Sequence, residues 1–453
     1  MAGKAKSVQC RIKKLTCNVA AERSTGAISP LLSRSQTDNQ KARAQVTESG
    51  NGEAVPVRIT LAEGLQVFRQ TRAGNTVARM FKRRHGKNVS MAPMQRDWDI
   101  FCRVIDNYGD IGVCWRLARQ LAREYALNVR LWVDAPQSLA AMCPALDTEL
   151  ESQIVDGVEI RYWNASFPEA DVADVVIEAF ACELPEIYVQ AMAKAKPAPG
   201  WINLEYLTAE AWAAAWHGTA SPHPSLALVK YFFFPGFGDA SGGLIKEACL
   251  FEQRAEFLAV RSPSHVLEVS LFCYETAAVG ELLDLLAESN MPVLCHVPPG
   301  QPLNAAKAHL GGEGPWQIGL LNVVPIPFLT QDEYDHLLWR CEVNFVRGED
   351  SFVRAIWAGH PFVWQIYKQD EEAHLVKLAA FLDLYTKEMP PELAVAMKSI
   401  FIAWNTGIGL PEAWRQFLAM HDQMATHSRK WSNSLAERPN LAANLVKFCC
   451  NEL

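Results

Sequence analysis

The stretch Asp99-Ile-Phe-Cys-Arg-Val-Ile-Asp-Asn-Tyr-Gly-Asp-Ile-Gly-Val-Cys-Trp-Arg-Leu-Ala-Arg119 predicts a strand, a polar loop and a helix in immediate succession. The largely apolar run from Ile100 to Ile105 is typical of a buried strand. After the loop, apolar residues recur every four positions, as on one face of a helix. Two carboxylates, Asp106 and Asp110, therefore stand at the carboxyl end of a strand, which is the edge where ligands bind in open α/β sheets.

Each carboxylate also has a purely structural interpretation. Asp110 could cap the helix, since Asp is a favoured N-cap residue, and Asp106 could form an Asx-turn. The loop carries only Gly109 and Gly112, whereas the dinucleotide fingerprint needs three glycines at fixed spacing. A standard NAD site is therefore not expected here.

Strand and helix patterns alternate along the rest of the chain, which predicts an α/β fold with mostly parallel sheets. The alternation pauses in a loop-rich region and restarts at His265-Val-Leu-Glu-Val-Ser-Leu-Phe272. We therefore expect two facing Rossmann-like domains with a cleft between them, the GT-B architecture of many nucleotide-sugar glycosyltransferases. The predicted domains are a first Rossmann-like domain over 94–261 and a second over 262–435, with a C-terminal helix over 436–453 returning to the first.

Charge is unevenly divided between residues 1–93 and the remainder. The first segment holds 17 Lys and Arg against 5 Asp and Glu, whereas residues 94–453 hold 26 against 45. Its weak periodicity and polar composition predict a disordered basic extension. A transit peptide and a start codon assigned upstream of Met91 or Met94 are the other interpretations. The acidic remainder suits a cationic partner and argues against nucleic-acid binding, although solubility alone would account for it.

Composition indicates a globular cytoplasmic protein. Hydrophobic residues make up 49% of the chain, and no run of 18 apolar residues predicts a membrane span. The twelve cysteines contain no CxxC pair, and no secretory signal precedes them. Reduced thiols in the cytoplasm are therefore expected, with no membrane partner.

A second polar motif, Arg347-Gly-Glu-Asp-Ser351, lies between a short apolar strand and an apparent helix. A helix N-terminus offers free N–H groups and a partial positive charge, and Arg347 can grip phosphate oxygens with two hydrogen bonds. Ser351 can add a hydroxyl, so the motif could cradle a diphosphate. The alternative is a helix capped by Asp350 or Ser351, with Glu349 in solvent.

Aromatic residues near the ends of other strands could bind a nucleobase. Phe328 could stack on a base and Gln331 could read its edge, while a core ring and a solvated amide are the alternative. Phe272 and Tyr274 share one face at a strand end, where sheet packing competes with ligand contact. Asn203, Glu205 and Tyr206 could line the same cleft, although ordinary packing or solvation is the preferred interpretation. No metal site is expected, because the histidines lack ligand spacing and no Asp-x-Asp motif occurs.

These motifs together resemble the bacterial protein-arginine rhamnosyltransferases that modify translation elongation factor P. The resemblance runs from about Trp98 to about Phe448. The matching segments are Asp99–Arg119, Tyr231–Gly236, Ser270–Glu275, Pro327–Gln331 and Asn344–Arg354, in this order along the chain.

The resemblance implies transfer of L-rhamnose from dTDP-β-L-rhamnose to an arginine of elongation factor P, with inversion and without a cofactor. It matches Glu349 to a family residue needed for activity, and it assigns acceptor binding to the first predicted domain and nucleotide-sugar binding to the second. Because an arginine guanidinium needs carboxylates to orient it and to accept a proton, we expect Asp110 to be the general base, with Asp106 holding the guanidinium or orienting the loop. The implied donor-binding residues are Phe272, Tyr274, Phe328, Gln331, Arg347, Asp350 and Ser351. Another GT-B nucleotide-sugar enzyme, such as an epimerase or a small-acceptor transferase, and a non-catalytic elongation factor P binding protein remain as alternatives.

Removing residues 1–93 should leave folding and transfer essentially unchanged, because the resemblance begins near Trp98 and the segment has a disorder-like composition. Melting temperature and transfer rate of a chain starting at Met94 are the measurements. An insoluble or inactive shortened chain would contradict this prediction.

Overall fold

The computed structural model describes residues 97–106, 108–164, 167–168, 170–262, 264–369 and 372–453. The extension predicted to be disordered, residues 1–93, lies outside these ranges, as does Asn107 of the first motif. The described chain from Asp97 onward belongs to one compact unit.

The first half of the described chain is built on an eight-stranded sheet in the order β3-β4-β2-β1-β5-β6-β8-β7. The five pairings between neighbouring strands from β4 to β8 are parallel, whereas the edge strands β3 and β7 pair antiparallel with β4 and β8. The central strands are buried along most of their length, as expected for parallel strands covered on both faces. The strands are β1 Asp97–Cys102, β2 Asn128–Val133, β3 Ser152–Val155, β4 Val158–Tyr162, β5 Val175–Ala179, β6 Gly200–Leu204, β7 Ala220–Pro222 and β8 Val229–Phe233.

The first strand ends three residues earlier than its apolar run predicts. Ile105 is outside β1 and 69% exposed, so the prediction of a buried strand reaching Ile105 was wrong. The reason is that carboxylates take over the backbone donors: the N–H of Val104 donates to Asp134 and that of Ile105 donates to Asp110. The chain therefore leaves the sheet at Cys102 and turns into the loop before the first helix.

The helices of the first half connect these strands. The first of them, α1, begins at Gly109, so that Asp110 lies in its first turn rather than in the loop predicted before it. Its buried stripe contains Val113, Leu117 and Leu121, at the predicted spacing. The helices are α1 Gly109–Tyr125, α2 Pro136–Met142, α3 Glu186–Lys194 and α4 Trp212–Trp216.

The second half contains a six-stranded sheet in the order β11-β12-β10-β9-β13-β14. Its pairings are parallel except for that of the edge strand β11 with β12. Its strands are β9 Leu267–Leu271, β10 Val293–Val297, β11 Trp316–Ile318, β12 Leu321–Pro325, β13 Val343–Arg347 and β14 Phe362–Gln365.

The remaining helices belong to the rest of the described chain. One of them begins with a capping box, in which Thr330 and Glu333 satisfy each other's backbone donors. They are α5 Leu250–Ala259, α6 Val279–Ala287, α7 Gln301–Leu310, α8 Gln331–Arg340, α9 Asp350–Ala358, α10 Ala373–Tyr385, α11 Pro391–Thr406, α12 Leu410–Ala419, α13 His421–Ala436 and α14 Leu441–Glu452.

The last helix, α14, packs on the first half although it follows the second half in the chain. Leu441, Leu445 and Cys449 are buried in the same apolar cluster as the residues of β1 and α1. Fully burying one Leu side chain contributes roughly 1.5–3 kcal/mol, so α14 is an integral part of that core. The predicted domain boundaries between residues 261 and 262 and between 435 and 436 stay a prediction.

A buried ionic cluster joins the two halves where α1 meets α9. Arg116 of α1 bonds to Glu247 at 2.7 Å and to Asp350 of α9 at 3.3 Å. Arg354 of α9 also bonds to Asp350, at 2.9 Å, and to Asp335 of α8, at 2.6 Å. Burial opposes ionisation, yet the Arg116 guanidinium holds the pKa of Glu247 down to about 2. The cluster fixes the carboxyl ends of β1 and β13 opposite each other.

Within the described ranges, no helix combines the length and the apolar character that crossing a bilayer requires.

Replacing Arg116 by Ala should lower the free energy of unfolding by ~3 kcal/mol, at the low end of the range for a broken buried ion pair because Glu247 is 33% exposed. Because the pKa of Glu247 is lowered from 4.5 to about 2 in the folded protein, its ion pair stabilises the fold fully above pH 4.5. This stabilisation is lost as the pH falls toward about 2. The difference between parent and variant should therefore shrink over that acid range.

Denaturant unfolding from pH 7 to pH 3 is the measurement for this prediction. Arg415→Ala is the matched control, because its ion pair with Glu412 is 61% and 68% exposed and should contribute less than ~1 kcal/mol. Equal losses in the two variants would show that the cluster does not hold the halves together.

Candidate active site

Loops at the carboxyl ends of both sheets line two adjoining cavities. The apolar cavity is lined by aromatic rings and by the turn between β13 and α9. The acidic cavity contains three carboxylates. Asp106, Gly109 and Gly348 line both, so that the loop after β1 and the loop after β13 together form the boundary between them.

The structure brings all ten predicted site residues together at this boundary. Seven line the apolar cavity: Asp106, Phe272, Phe328, Gln331, Arg347, Asp350 and Ser351. Asp106 also lines the acidic cavity, together with Asp110 and Glu349. Tyr274 reaches the site through its hydroxyl, which donates to Asp106 at 2.6 Å.

Asp110 organises the loop that carries Asp106. Its Oδ2 accepts the backbone N–H of Ile105 at 2.8 Å and that of Asp106 at 2.9 Å. These donors precede the helix, so Asp110 is not the N-cap residue; that position belongs to Tyr108, whose side chain makes no cap hydrogen bond. Burial raises the pKa of Asp110, against these hydrogen bonds and that of the Tyr206 hydroxyl. A carboxylate with a raised pKa is a better proton acceptor.

Asp106 stands where the two cavities meet. It is only half-buried, and its Oδ2 accepts the Tyr274 hydroxyl rather than a backbone N–H of an Asx-turn. Burial, together with the Asp106 carboxylate, raises the pKa of Tyr274 and keeps its hydroxyl a donor. The hydrogen bond therefore fixes a carboxylate that both cavities can reach.

Gly348 allows the two loops to approach each other. Its φ is +63°, and a Cβ at this position would lie 3.1 Å from Asp106 Oδ2 and 3.3 Å from the Tyr274 hydroxyl. A side chain would therefore meet both strain and crowding. Only a residue without a Cβ leaves the hydrogen bond between Asp106 and Tyr274 undisturbed.

Arg347 presents a positive charge to the apolar cavity. Its guanidinium lies 4.7 Å from the ring centroid of Phe272 and 4.4 Å from that of Tyr274. Its one side-chain hydrogen bond in the described structure is a long one, 3.4 Å, to Gln301. Cation–π contacts orient the group while its N–H donors stay available, which suits capture of a phosphate.

The helix that follows Arg347 begins without a side-chain cap. Glu349 occupies the N-cap position of α9 and makes no cap hydrogen bond, while Ser351 bonds to the backbone of Arg347. The interpretation of Asp350 or Ser351 as a cap is therefore wrong. The first N–H groups of α9 remain suited to an anion, as at other helix N-termini.

Gln331 and Asp350 both line the apolar cavity, and both form hydrogen bonds to α1 across the interface between the two halves. Gln331 Nε2 donates to Gly112 O of α1 and to Asp350 Oδ2, each at 3.0 Å. Asp350 in turn bonds to Arg116 and Arg354. Both side chains therefore hold the cavity wall in place.

Phe328 lines the apolar cavity from the loop after β12. Its ring centroid lies 4.9 Å from that of Tyr108, with an angle of 55° between the planes. The ring also packs at the edge of the first half's apolar cluster. It therefore sits on the wall between the halves, half-buried, where a flat ligand could contact it.

The acidic cavity contains residues that the motifs did not indicate. Tyr206, for which packing was preferred, lines this cavity and stacks on Phe180 with centroids 4.4 Å apart. Lys377 of α10 bonds to Glu349 Oε1 at 3.4 Å, and Glu349 Oε2 accepts the N–H of Leu207 at 3.0 Å. Burial raises the pKa of Glu349 to about 6, against the effect of Lys377. Phe180 and Lys377 lie outside every quoted motif, so no sequence signal pointed to them.

Two Rossmann-like halves with a cleft at the carboxyl ends of their parallel strands define a GT-B glycosyltransferase, which confirms the predicted fold class. The sequence profile described as "Elongation-Factor P (EF-P) rhamnosyltransferase EarP" matches residues 98–450. The chain belongs to this family and is an enzyme, as the sequence predicted.

Relatives and a solved structure agree with this assignment. A protein-arginine rhamnosyltransferase of Pseudomonas aeruginosa is 46% identical over 370 residues, which are 78% of this chain and 98% of the relative. One of Neisseria meningitidis is 36% identical over 372 residues, 77% of this chain and 96% of the relative. The solved structure that gives the basis for EarP-mediated arginine glycosylation of translation elongation factor EF-P has 33% identity and a TM-score of 0.54, covering 79% of this chain and 99% of its own.

Proposed function

We propose that this enzyme transfers L-rhamnose from dTDP-β-L-rhamnose to an arginine side chain of translation elongation factor P, with inversion at the anomeric carbon. The observation that carries the proposal is the position of Asp106 between a cavity suited to a nucleotide diphosphate and a cavity suited to a cation. Family membership supports both the sugar and the acceptor.

In this proposal the apolar cavity binds the donor. The Phe328 ring stacks on thymine, and the diphosphate lies against Arg347 and the N-terminus of α9. The aromatic rings of Phe272 and Tyr274 orient Arg347 for this contact. Because Arg347 and the helix N-terminus supply positive charge to the leaving diphosphate, the proposal needs no metal ion and no cofactor.

The acidic cavity receives the acceptor arginine. A guanidinium is a poor nucleophile because it is protonated and delocalised, with a pKa above ~12. Asp106 and Glu349 would hold it, and Asp110 would accept its proton as a nitrogen attacks the anomeric carbon. The bond from that carbon to the diphosphate oxygen breaks, and dTDP leaves with the bonding electron pair. Glu349 lines only the acidic cavity, which favours an acceptor role over a sugar contact.

The direct test is the intact mass of elongation factor P after incubation with the enzyme and dTDP-rhamnose in excess EDTA. A gain of one deoxyhexose on an arginine supports the proposal together with its metal-free chemistry. Turnover of the donor without a mass gain would indicate a different acceptor. Activity that needs added magnesium or manganese would refute the role given to Arg347.

Replacing Asp110 by Asn should slow transfer by ~10²–10⁴-fold, the usual cost of a lost general base. An amide oxygen can still accept the N–H groups of Ile105 and Asp106, so the loop and donor affinity should be preserved. Melting temperature, dTDP affinity and transfer rate would be measured on one preparation.

The variant Asp110→Ala is the companion to this experiment, because it loses the loop hydrogen bonds as well and should also be less stable. Near-normal transfer by Asp110→Asn would show that the carboxylate only organises the loop. Asp106 would then be the leading candidate for the base.

Replacing Phe328 by Ala should weaken dTDP binding by ~1–3 kcal/mol if the ring stacks on thymine. Calorimetry with dTDP is the measurement, and saturated turnover should change less than affinity. Phe257→Ala is a matched control, since this half-buried ring stacks on His336 of α8 and does not line either cavity. Unchanged dTDP affinity in folded Phe328→Ala would exclude this ring from the donor site.

A further inference from the structure

The acidic cavity contains its own cation. Its described lining includes the carboxylates of Asp106, Asp110 and Glu349, and the one positively charged side chain among these lining residues is Lys377. Three carboxylates in one partly buried space repel one another, so a resident positive charge stabilises the cavity before any substrate arrives.

The contacts of Lys377 are few and loose. Its ammonium lies 3.4 Å from Glu349 Oε1, whereas strong charge-assisted hydrogen bonds are about 2.7–2.9 Å. It also lies 5.6 Å from the ring centroid of Tyr206. Within the described chain, Glu349 is its one ion-pair partner, and the side chain is 18% exposed. An ammonium held in this way on a flexible stem can leave without breaking other bonds.

The two partners of Lys377 are those that an arginine side chain would use. A guanidinium binds a carboxylate with two parallel hydrogen bonds and stacks on an aromatic face more effectively than an ammonium does. The Tyr206 ring is held in place by its stacking on Phe180, with ring centroids 4.4 Å apart. A lysine and an acceptor arginine would therefore compete for Glu349 and Tyr206.

We propose that Lys377 is a resident counter-ion, which occupies the place of the acceptor guanidinium on Glu349 and is displaced toward solvent when the acceptor binds. This inference rests on the proposed arginine acceptor. It makes Lys377 a residue that sets acceptor affinity and discriminates against cations too weak to displace it. Lys377 acts through Glu349 and is a positioning residue.

The ionisation of Glu349 provides a second way to detect the role of Lys377, through the pH dependence of the reaction. The groups that face Glu349 are Lys377 from α10, Asp110 from α1, Tyr206 after β6 and Tyr274 after β9. Lys377 is the one among them that favours the ionised carboxylate by its charge. The pKa of Glu349 is about 6 with Lys377 present, so losing the lysine should move the acid limb of the pH–rate profile to higher pH.

The test is the variant Lys377→Gln, with methylguanidinium as a small probe for the arginine side chain. At pH 8, where Glu349 is ionised, the variant should bind this probe about two- to fivefold more tightly, as expected for removal of one competing ion pair. The KM for elongation factor P should fall by a similar factor. Lys377→Arg, whose guanidinium is the stronger competitor for Glu349 and Tyr206, should bind the probe more weakly than the parent.

Lys398→Gln is the matched control, because Lys398 pairs with Asp383 and does not line the cavity. Unchanged or weaker methylguanidinium binding by folded Lys377→Gln would overturn the inference, as would a loss of dTDP affinity, which would place Lys377 at the donor. Failure of the parent enzyme to modify elongation factor P would count against the proposed function instead, since the probe affinity is read without turnover.

Discussion

The carboxylate of Asp350 bonds to both halves of the enzyme, and the relative placement of the two cavities depends on it. One oxygen meets Arg116 of α1, and the other meets Arg354 and Gln331 of the second half. Burying such charges is costly unless each has several partners, and here each has at least two. The close approach of α1 at Gly112, where a Cβ would lie 3.4 Å from Asp350, allows the helices to meet.

This junction separates two opposite electrostatic environments over a short distance. The apolar cavity contains the cation of Arg347 among aromatic rings, and the acidic cavity contains the three carboxylates. Asp106 and Gly348 lie on the boundary, where a bulky residue would block contact between the two sides. An arrangement of this kind suits a reaction in which a cationic nucleophile replaces an anionic leaving group. The carboxylates provide the charge opposite to the nucleophile, and Arg347 provides the charge opposite to the leaving group.

The sequence predicted the features that depend on local patterns. The GT-B fold and the family followed from alternating strands and helices and from motifs at strand ends, where Asp110 and Arg347 are placed by the chain immediately around them. The end of β1 was missed because Ile105 looks apolar, while its N–H is taken by a side chain. The short edge strands β3, β7 and β11 carry too few residues to show a period. The bond of Arg116 to Asp350 spans 234 positions, so no local pattern could indicate it, and the same holds for Lys377 beside Glu349.

The return of α14 to the first half has a consequence for biosynthesis. Chains emerge from the ribosome in order, and early domains generally fold while later ones are being made. Here the apolar cluster of the first half includes Leu441, Leu445 and Cys449, which are synthesised after the whole second sheet. The nascent first half therefore exposes an uncovered apolar surface throughout translation of the second. The core of the first half is completed only after the C-terminal segment has left the ribosome. Until then, chaperones can bind the exposed apolar surface and the growing chain can aggregate.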